Sequence, residues 1–453
     1  MNFPFSSTKL FSNSLLITLL LVISNIVKAI PEYKAYLNEN KGTIKVDACF
    51  DDGYSGRLST GRSRDYQYLT SFIQGNERIR VNGKYVNLRR DGPLCINYVV
   101  DLNKAKDNRQ AWQVNGGWLV DNRVWLWRPT NQDGIKLSFI HESGKSLVSV
   151  PWSKSGEKTA YNAATTPLGW SSKMAFGNLN RFDVPVNGQH VRVGMLGIAN
   201  KAKVEELRDW IQHGAQAIAS VSGNFPVDNA QILVMPLGGR SEPVPWAEVQ
   251  RAGLPAVHLY IDQERPIKEF YADWTLTHEL SHLLIPRVSG SARWLSEGVA
   301  SYYQNVLMAR AQLQSPDTSW KKLKAGFAKG RRAAKNTSVL NARRTKHVYW
   351  GGAALMYMAD VDLRLRDKGN SLDDVLIKLQ NCCIPSTHYW QADEFMEKMD
   401  ELSGTTVFTE LLNNEARQPR FPIDRSFEKA YNPIEKIELK EILTPINDLA
   451  GDY

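Results

Sequence analysis

The sequence predicts an α+β protein in two parts, an N-terminal antiparallel β domain over residues 30–200 followed by a mainly helical domain over residues 201–420. Up to about Gly197 the apolar residues alternate in short runs separated by turn residues, the period-two pattern of half-buried strands. After Asn200 the spacing lengthens to about 3.6 residues, the period of amphipathic helices.

The strand candidates of the first part are residues 42–50, 85–90, 95–102, 124–128, 135–141 and 191–196, rich in Val, Ile and aromatics. Turn chemistry lies between them: Asp51-Asp52-Gly53, Arg90-Asp91-Gly92-Pro93 and Gln132-Asp133-Gly134. Trp112, Trp118, Trp125, Trp127 and Trp152 crowd this region, and aromatics on strands read first as core and cross-strand pairs rather than as a ligand platform. In the second part, residues 202–221 place Val204, Leu207, Trp210, Ile211, Ala217 and Ile218 on one helical face. Residues 231–235 and 256–261 are apolar strand candidates flanking a Gly/Pro-rich turn region. Helices follow at 271–284, stopped by Pro286, and at 294–314, 320–335, 348–366, 371–380 and 393–402, before a Pro-interrupted tail at 421–453.

The first 29 residues read as a targeting segment outside the fold. Lys9 gives a positive start, residues 14–27 a short apolar run, and Val27-Lys28-Ala29 small residues where a signal peptidase cuts. Cleavage after Ala29 implies a periplasmic or secreted protein, with a retained N-terminal anchor as the alternative. Four cysteines exclude a disulfide-stapled scaffold. Cys49 and Cys95 fall in strand candidates and form the preferred pair, while the adjacent Cys382 and Cys383 are left to each other or unpaired. No CxxC spacing occurs, which argues against a cysteine zinc site.

The formal charge is +9, and +7 once Lys9 and Lys28 leave with the leader. Residues 321–346 hold ten Lys or Arg and no acid, so the remainder is close to neutral. That basic segment is either a solvated helical face or a surface for weak association with an anionic membrane or an acidic substrate. No nucleic-acid-binding module accompanies it, and nucleic acid is not an expected partner.

The chemistry is concentrated in His278-Glu279-Leu280-Ser281-His282, an HExxH motif, and in Glu297 fifteen positions further on. Two histidines four apart share one helix face, so both imidazoles reach a single ion, and an acid one position from the first stands beside the metal rather than on it. The expectation is a catalytic Zn2+ on His278, His282 and Glu297, with Glu279 as general base and one coordination position left for water.

These residues resemble the gluzincin metallopeptidases, and most closely the glycyl aminopeptidase family. The resemblance is carried by Asp273-Trp274-Thr275-Leu276-Thr277-His278-Glu279-Leu280-Ser281-His282 and by Trp294-Leu295-Ser296-Glu297-Gly298-Val299-Ala300-Ser301-Tyr302-Tyr303, within a block of about 231–380. It implies a thermolysin-like catalytic domain, the zinc ligands named above, and hydrolysis of peptide or protein substrates. Tyr349-Trp350-Gly351-Gly352-Ala353 looks like the family's Tyr-x-Lys-Gly-Ala segment, with Gly351 in place of the Lys. Tyr349 is then the donor to the oxyanion, with His347 a second candidate. The family's Gly-x-x-Glu substrate element corresponds loosely to residues 236–243, where Gly238 and Gly239 allow close backbone approach and Glu242 is the candidate amine anchor. Asp273 or Asp360 are candidates to orient the imidazoles. Two other classes remain: a peptidase-like binding protein without turnover, and a basic surface factor docking on anionic lipid.

Overall fold

The computed structural model describes residues 30–50, 56–88, 94–130, 134–142, 147–156, 160–164, 166–366, 370–423 and 442–444. The expected leader and most of the expected tail lie outside the described residues.

The N-terminal part is built on an eight-stranded sheet and two smaller ones. Strand Thr43–Phe50 buries Ile44, Val46, Ala48 and Phe50 on one face, and pairs antiparallel with Leu94–Asp101 so that Cys49 stands opposite Cys95. Those two cysteines form a disulfide. The sheet is mixed rather than antiparallel as expected, because Glu32–Asn38 runs parallel to Gly134–His141. A long connection separates those two strands, which is what a parallel pairing requires. The tryptophans are core: Trp118, Trp125, Trp127 and Trp152 are buried, with Trp125 edge-on to both Phe139 and Trp152. The strand expected at 124–128 is instead a helical turn, Asn122–Trp125, followed by the short strand Arg128–Pro129. Asp121 accepts a hydrogen bond from the Arg123 amide at 2.9 Å, and this local cap outweighs the β-propensity of Val124 and its aromatic neighbours.

A five-stranded sheet underlies the second part, in the order Leu179–Val186, Gln189–Leu196, Gln231–Pro236, Ala256–Ile261, Trp246–Gln250. Its first two strands precede the boundary expected at residue 200, so the sheet draws 179–196 into the helical part. Asn187 and Gly188, both at positive φ, make the tight turn between them. The three inner strands are parallel, and helix Lys201–Ala219 is the crossover between two of them. Trp246–Gln250 is an edge strand, antiparallel to Ala256–Ile261.

Helices cover one side of this sheet. The expected helix at 271–284 is broken: Ile267–Ala272 ends, Asp273 accepts from the Thr275 amide at 2.7 Å, and a fresh helix runs Thr275–Ser281 before a 3-10 turn at His282–Leu284. Helix Arg293–Arg310 lies against it and crosses helix Thr345–Arg366 at two glycines. A Cβ on Gly298 would stand 2.5 Å from the Gly352 carbonyl carbon, and one on Gly352 would stand 2.0 Å from the Trp294 oxygen. The helix Val407–Leu411 has no counterpart in the expected elements. Cys382 and Cys383 are bonded to each other. No helix among the described residues is long and apolar enough to cross a membrane.

His258, on the central strand Ala256–Ile261, is fully buried, with Nδ1 3.8 Å from the Glu248 carboxylate. Burial pushes its imidazole down to about 4. A group whose folded pKa is depressed stabilises the fold above its unfolded value near 6.5, and that stability is lost as pH falls toward 4. His258 alone then costs about 2 kcal/mol between pH 7 and pH 5. Urea midpoints at the two pH values should fall further in the parent than in His258→Leu; parallel losses would show that this histidine does not titrate with unfolding.

Candidate active site

The fold turns a sequence spacing into a converging set of side chains. His278 and His282 lie on successive turns, the first within Thr275–Ser281 and the second at the 3-10 turn that continues it, with ring centroids 5.0 Å apart. Glu297, the fifth residue of Arg293–Arg310, brings its Oε2 to 3.4 Å from His278 Nε2 and 3.8 Å from His282 Nε2. Three donors to one zinc at bond lengths of about 2.0–2.2 Å sit roughly 3.3–3.6 Å from one another in a tetrahedron. Glu297 Oε1 is held by Arg293 at 3.1 Å, whereas Oε2 is buried and makes no hydrogen bond by geometry.

The far nitrogens of the imidazoles are fixed. His278 Nδ1 lies 2.7 Å from Gln304 Oε1, an atom that only accepts, so the ring carries its proton there and presents the Nε2 lone pair to Glu297. His282 Nδ1 lies 2.9 Å from Ser296 Oγ, a hydroxyl able to accept its proton. The acids considered from the sequence do other work. Asp273 caps the motif helix, and Asp360 accepts from the Tyr302 hydroxyl at 2.7 Å and from Arg364. Gln304 stands seven residues after Glu297 on the same helix face, and Ser296 directly precedes Glu297, so spacing alone held the signal.

Glu279 is buried, and its ligand atom lies within 4.8 Å of those of both histidines. Either carboxylate is thus near the imidazole pair, but Glu297 is the one whose unpartnered oxygen faces both Nε2 atoms. Burial pushes Glu279 up to about 7, with the Glu297 charge adding to it and His278 opposing. Burial also works against charge on Glu297, yet the facing imidazoles and the Tyr349 hydroxyl outweigh it and hold that carboxyl at about 2. His282 is pushed down to about 3, by burial first and then by His278. The arrangement therefore offers, beside His278, a neutral His282 imidazole, an ionised carboxylate and a carboxyl poised near neutrality.

Tyr349, in the first turn of Thr345–Arg366, stacks on His278 with centroids 5.6 Å apart and an interplanar angle of 6°. Its hydroxyl is coupled to Glu297 and Arg293, and burial raises its pKa. His347 points elsewhere, into a buried position beside Phe421. Tyr302 and Tyr303 are likewise turned away, with hydroxyls on Asp360 and Asp373. Gly238, Gly239 and Glu242 form an exposed loop after strand Gln231–Pro236, and the glycines have φ of +64° and +62° with open space around them. Glu242 is close enough to Asp273 to raise its pKa, which places the loop toward the start of the motif helix. Sequence reasoning missed Arg251, whose Nη2 donates to the His282 carbonyl at 2.7 Å.

The M61 glycyl aminopeptidase family model matches residues 286–354, a span that holds Glu297 and Tyr349 and begins just after the HExxH motif. No curated relative matches the chain in sequence. Among solved structures, an aminopeptidase N family protein from Idiomarina loihiensis is 13% identical with a TM-score of 0.59, over 89% of this chain and 75% of that one. The M1 zinc metallopeptidase of Deinococcus radiodurans is 14% identical with a TM-score of 0.52, over 88% and 95%. Leukotriene A4 hydrolase from Saccharomyces cerevisiae is 11% identical with a TM-score of 0.55, over 90% and 70%. At such identities the likeness to solved structures is one of fold. Motif, family model and fold point the same way: the chain is a zinc metallopeptidase that resembles the gluzincins and, among them, the glycyl aminopeptidases.

Proposed function

We propose that the chain is an exported, aminopeptidase-like enzyme with a thermolysin-like catalytic domain, and that it hydrolyses peptide bonds with Glu279 as general base. The observation that carries this reading is Glu297 Oε2, buried, unpartnered and facing the two Nε2 atoms. His278, His282 and Glu297 would hold Zn2+, which when bound activates a water and polarises the scissile carbonyl. Glu279, near neutrality, takes the proton of the attacking water and passes it to the leaving amine. Tyr349 keeps its proton, as its raised pKa requires, and donates a hydrogen bond to the developing oxyanion. Gln304 and Ser296 keep both imidazoles in the tautomer that leaves Nε2 free. The peptide backbone is taken along the edge strand Trp246–Gln250, which pairs on one side only, with Gly238 and Gly239 open to close approach and Glu242 the candidate for a free amine.

Export through the leader 1–29 is supported by the bonding of both cysteine pairs, which persists in oxidising compartments. Weak docking on an anionic membrane is supported by helix Pro316–Ala334, where Lys321, Lys322, Lys324, Lys329 and Arg332 are all exposed while Leu323, Phe327 and Gly330 are buried.

Glu279→Gln should retain zinc stoichiometrically and lower kcat by about 10^2–10^4-fold on a cleaved peptide; an unchanged rate would remove Glu279 from the chemistry. Fractionation followed by N-terminal sequencing should find a chain starting at Ile30 outside the cytoplasm, and an intact Met1 terminus inside the cell would overturn export. Vesicles rich in phosphatidylglycerol should sediment the protein at low salt, and the triple variant Lys321→Glu, Lys329→Glu, Arg332→Glu should stay in solution. Equal sedimentation of parent and variant would refute the docking surface.

A further inference from the structure

Two arginines beside the motif helix form no ion pair with a carboxylate among the described residues. Arg251 directly follows the edge strand and reaches the His282 carbonyl, and no acid among the described residues forms an ion pair with it. Arg287 lies five residues beyond His282, with its guanidinium 4.5 Å from the Trp170 ring centre and 5.0 Å from that of Tyr389, and it too forms no ion pair among the described residues. The two lie at one corner of the fold: Ala252, next to Arg251, donates to Ser172 Oγ, two residues beyond the Trp170 ring that Arg287 covers. A third guanidinium, Arg123, is near enough to act on Arg287 but is already satisfied by Asp121 at 2.6 Å. The acid coupled to Arg251 is Glu279, whose charge the proposed chemistry uses.

Partly buried cations brought together without an anion are costly, and a fold retains them where a ligand supplies the missing charge. The surroundings suit such a ligand. The loop carrying Arg251 is pinned on both sides, by Ala252 N to Ser172 Oγ at 2.9 Å, Trp152 Nε1 to Ala252 O at 3.1 Å and Leu254 N to Pro151 O at 2.7 Å. Trp170 and Tyr389 lie against Arg287, and the Tyr389 hydroxyl takes one of its N–H groups; a guanidinium has five, and the in-plane ones grip a carboxylate.

We propose that Arg251 and Arg287 form an anion subsite next to the metal centre that takes a carboxylate of the substrate. The assignment of this carboxylate to a peptide rests on the peptidase reading above. Its source is either an Asp or Glu side chain or the C-terminus of a short peptide, and both present the same two oxygens.

One peptide made in four forms, with Glu or Gln at the varied position and a free or amidated C-terminus, separates the sources. Titrated into zinc-loaded Glu279→Gln protein, the form carrying the recognised carboxylate should bind about tenfold or more tightly than its amide twin. Arg287→Gln should erase that difference while leaving the amide form within twofold, and Arg287→Lys should retain part of it. Glutarate added to the unsubstituted protein should displace the acidic form and spare the amide. Equal affinity for all four forms, or a preference that survives Arg287→Gln, would overturn the subsite. Turnover by the unsubstituted enzyme is scored separately. Carboxylate-selective binding without cleavage would sink the peptidase reading and leave the subsite, whereas cleavage without selectivity would do the reverse.

Discussion

The contact on which the site depends is the crossing of two helix backbones at Gly298 and Gly352. Side chains larger than hydrogen would force helices Arg293–Arg310 and Thr345–Arg366 apart, since each Cβ would meet backbone atoms rather than a yielding side chain. Glu297 is the residue before one glycine and Tyr349 lies three before the other, so the approach that only glycine permits also sets the carboxylate against the phenol. The same closeness lets Tyr349 stack on His278. A pair of glycines thus does what no polar contact in the site does: it fixes the distance between the helix that carries Glu297 and the helix that carries Tyr349.

Electrostatics then select protonation states. Three groups of the cluster depart from their ordinary behaviour in the direction a metal site needs: His282 neutral, Glu297 ionised, Glu279 shifted toward neutrality. Metal ligands must be deprotonated, and a protein that already holds them so avoids releasing protons from every ligand on binding. Burial is the common cause for His282 and Glu279: it disfavours charge in both, which lowers the pKa of the base and raises that of the acid. Glu297 escapes the penalty because the imidazoles and the Tyr349 hydroxyl face it.

The metal-binding pattern was legible in the sequence because helix geometry is local: four residues make one turn, and HExxH needs nothing more to place two imidazoles on one face. Gln304 obeys the same periodicity from Glu297, yet an amide at such a position has many ordinary uses, so its spacing carried little weight. The broken helix at Asp273 was hidden because the apolar pattern runs through it, while the hydrogen bond from the Thr275 amide to Asp273 that restarts the helix depends on geometry. The parallel pairing of Glu32–Asn38 with Gly134–His141 joins segments about a hundred residues apart, and strand patterns do not name their partners. Arg251 and Arg287 carried no sequence signal at all, since their meaning lies in what is missing around them.

The boundary near residue 200 failed for a related reason, and its failure says something about how the two parts cooperate. The change of hydrophobic period at Asn200 is real, but it marks where helices begin, not where one core ends. Strands Leu179–Val186 and Gln189–Leu196 belong to the sheet that supports the motif helix. Across the junction, Lys173 of the N-terminal part pairs with Glu248 of the edge strand, and Gln231 donates to Ser149 Oγ at 3.0 Å. Burial opposes charge on Glu248, but His258 and Lys173 hold it well below the usual carboxylate range. The edge strand is therefore anchored from the β part by a half-buried ion pair, and the loop after it by the hydrogen bonds around Ala252. A strand that offers its free edge to a ligand needs such bracing on its other faces, because an unpaired edge gains nothing from a neighbour until the ligand arrives. The N-terminal part is on this argument a structural member of the site rather than an appended module.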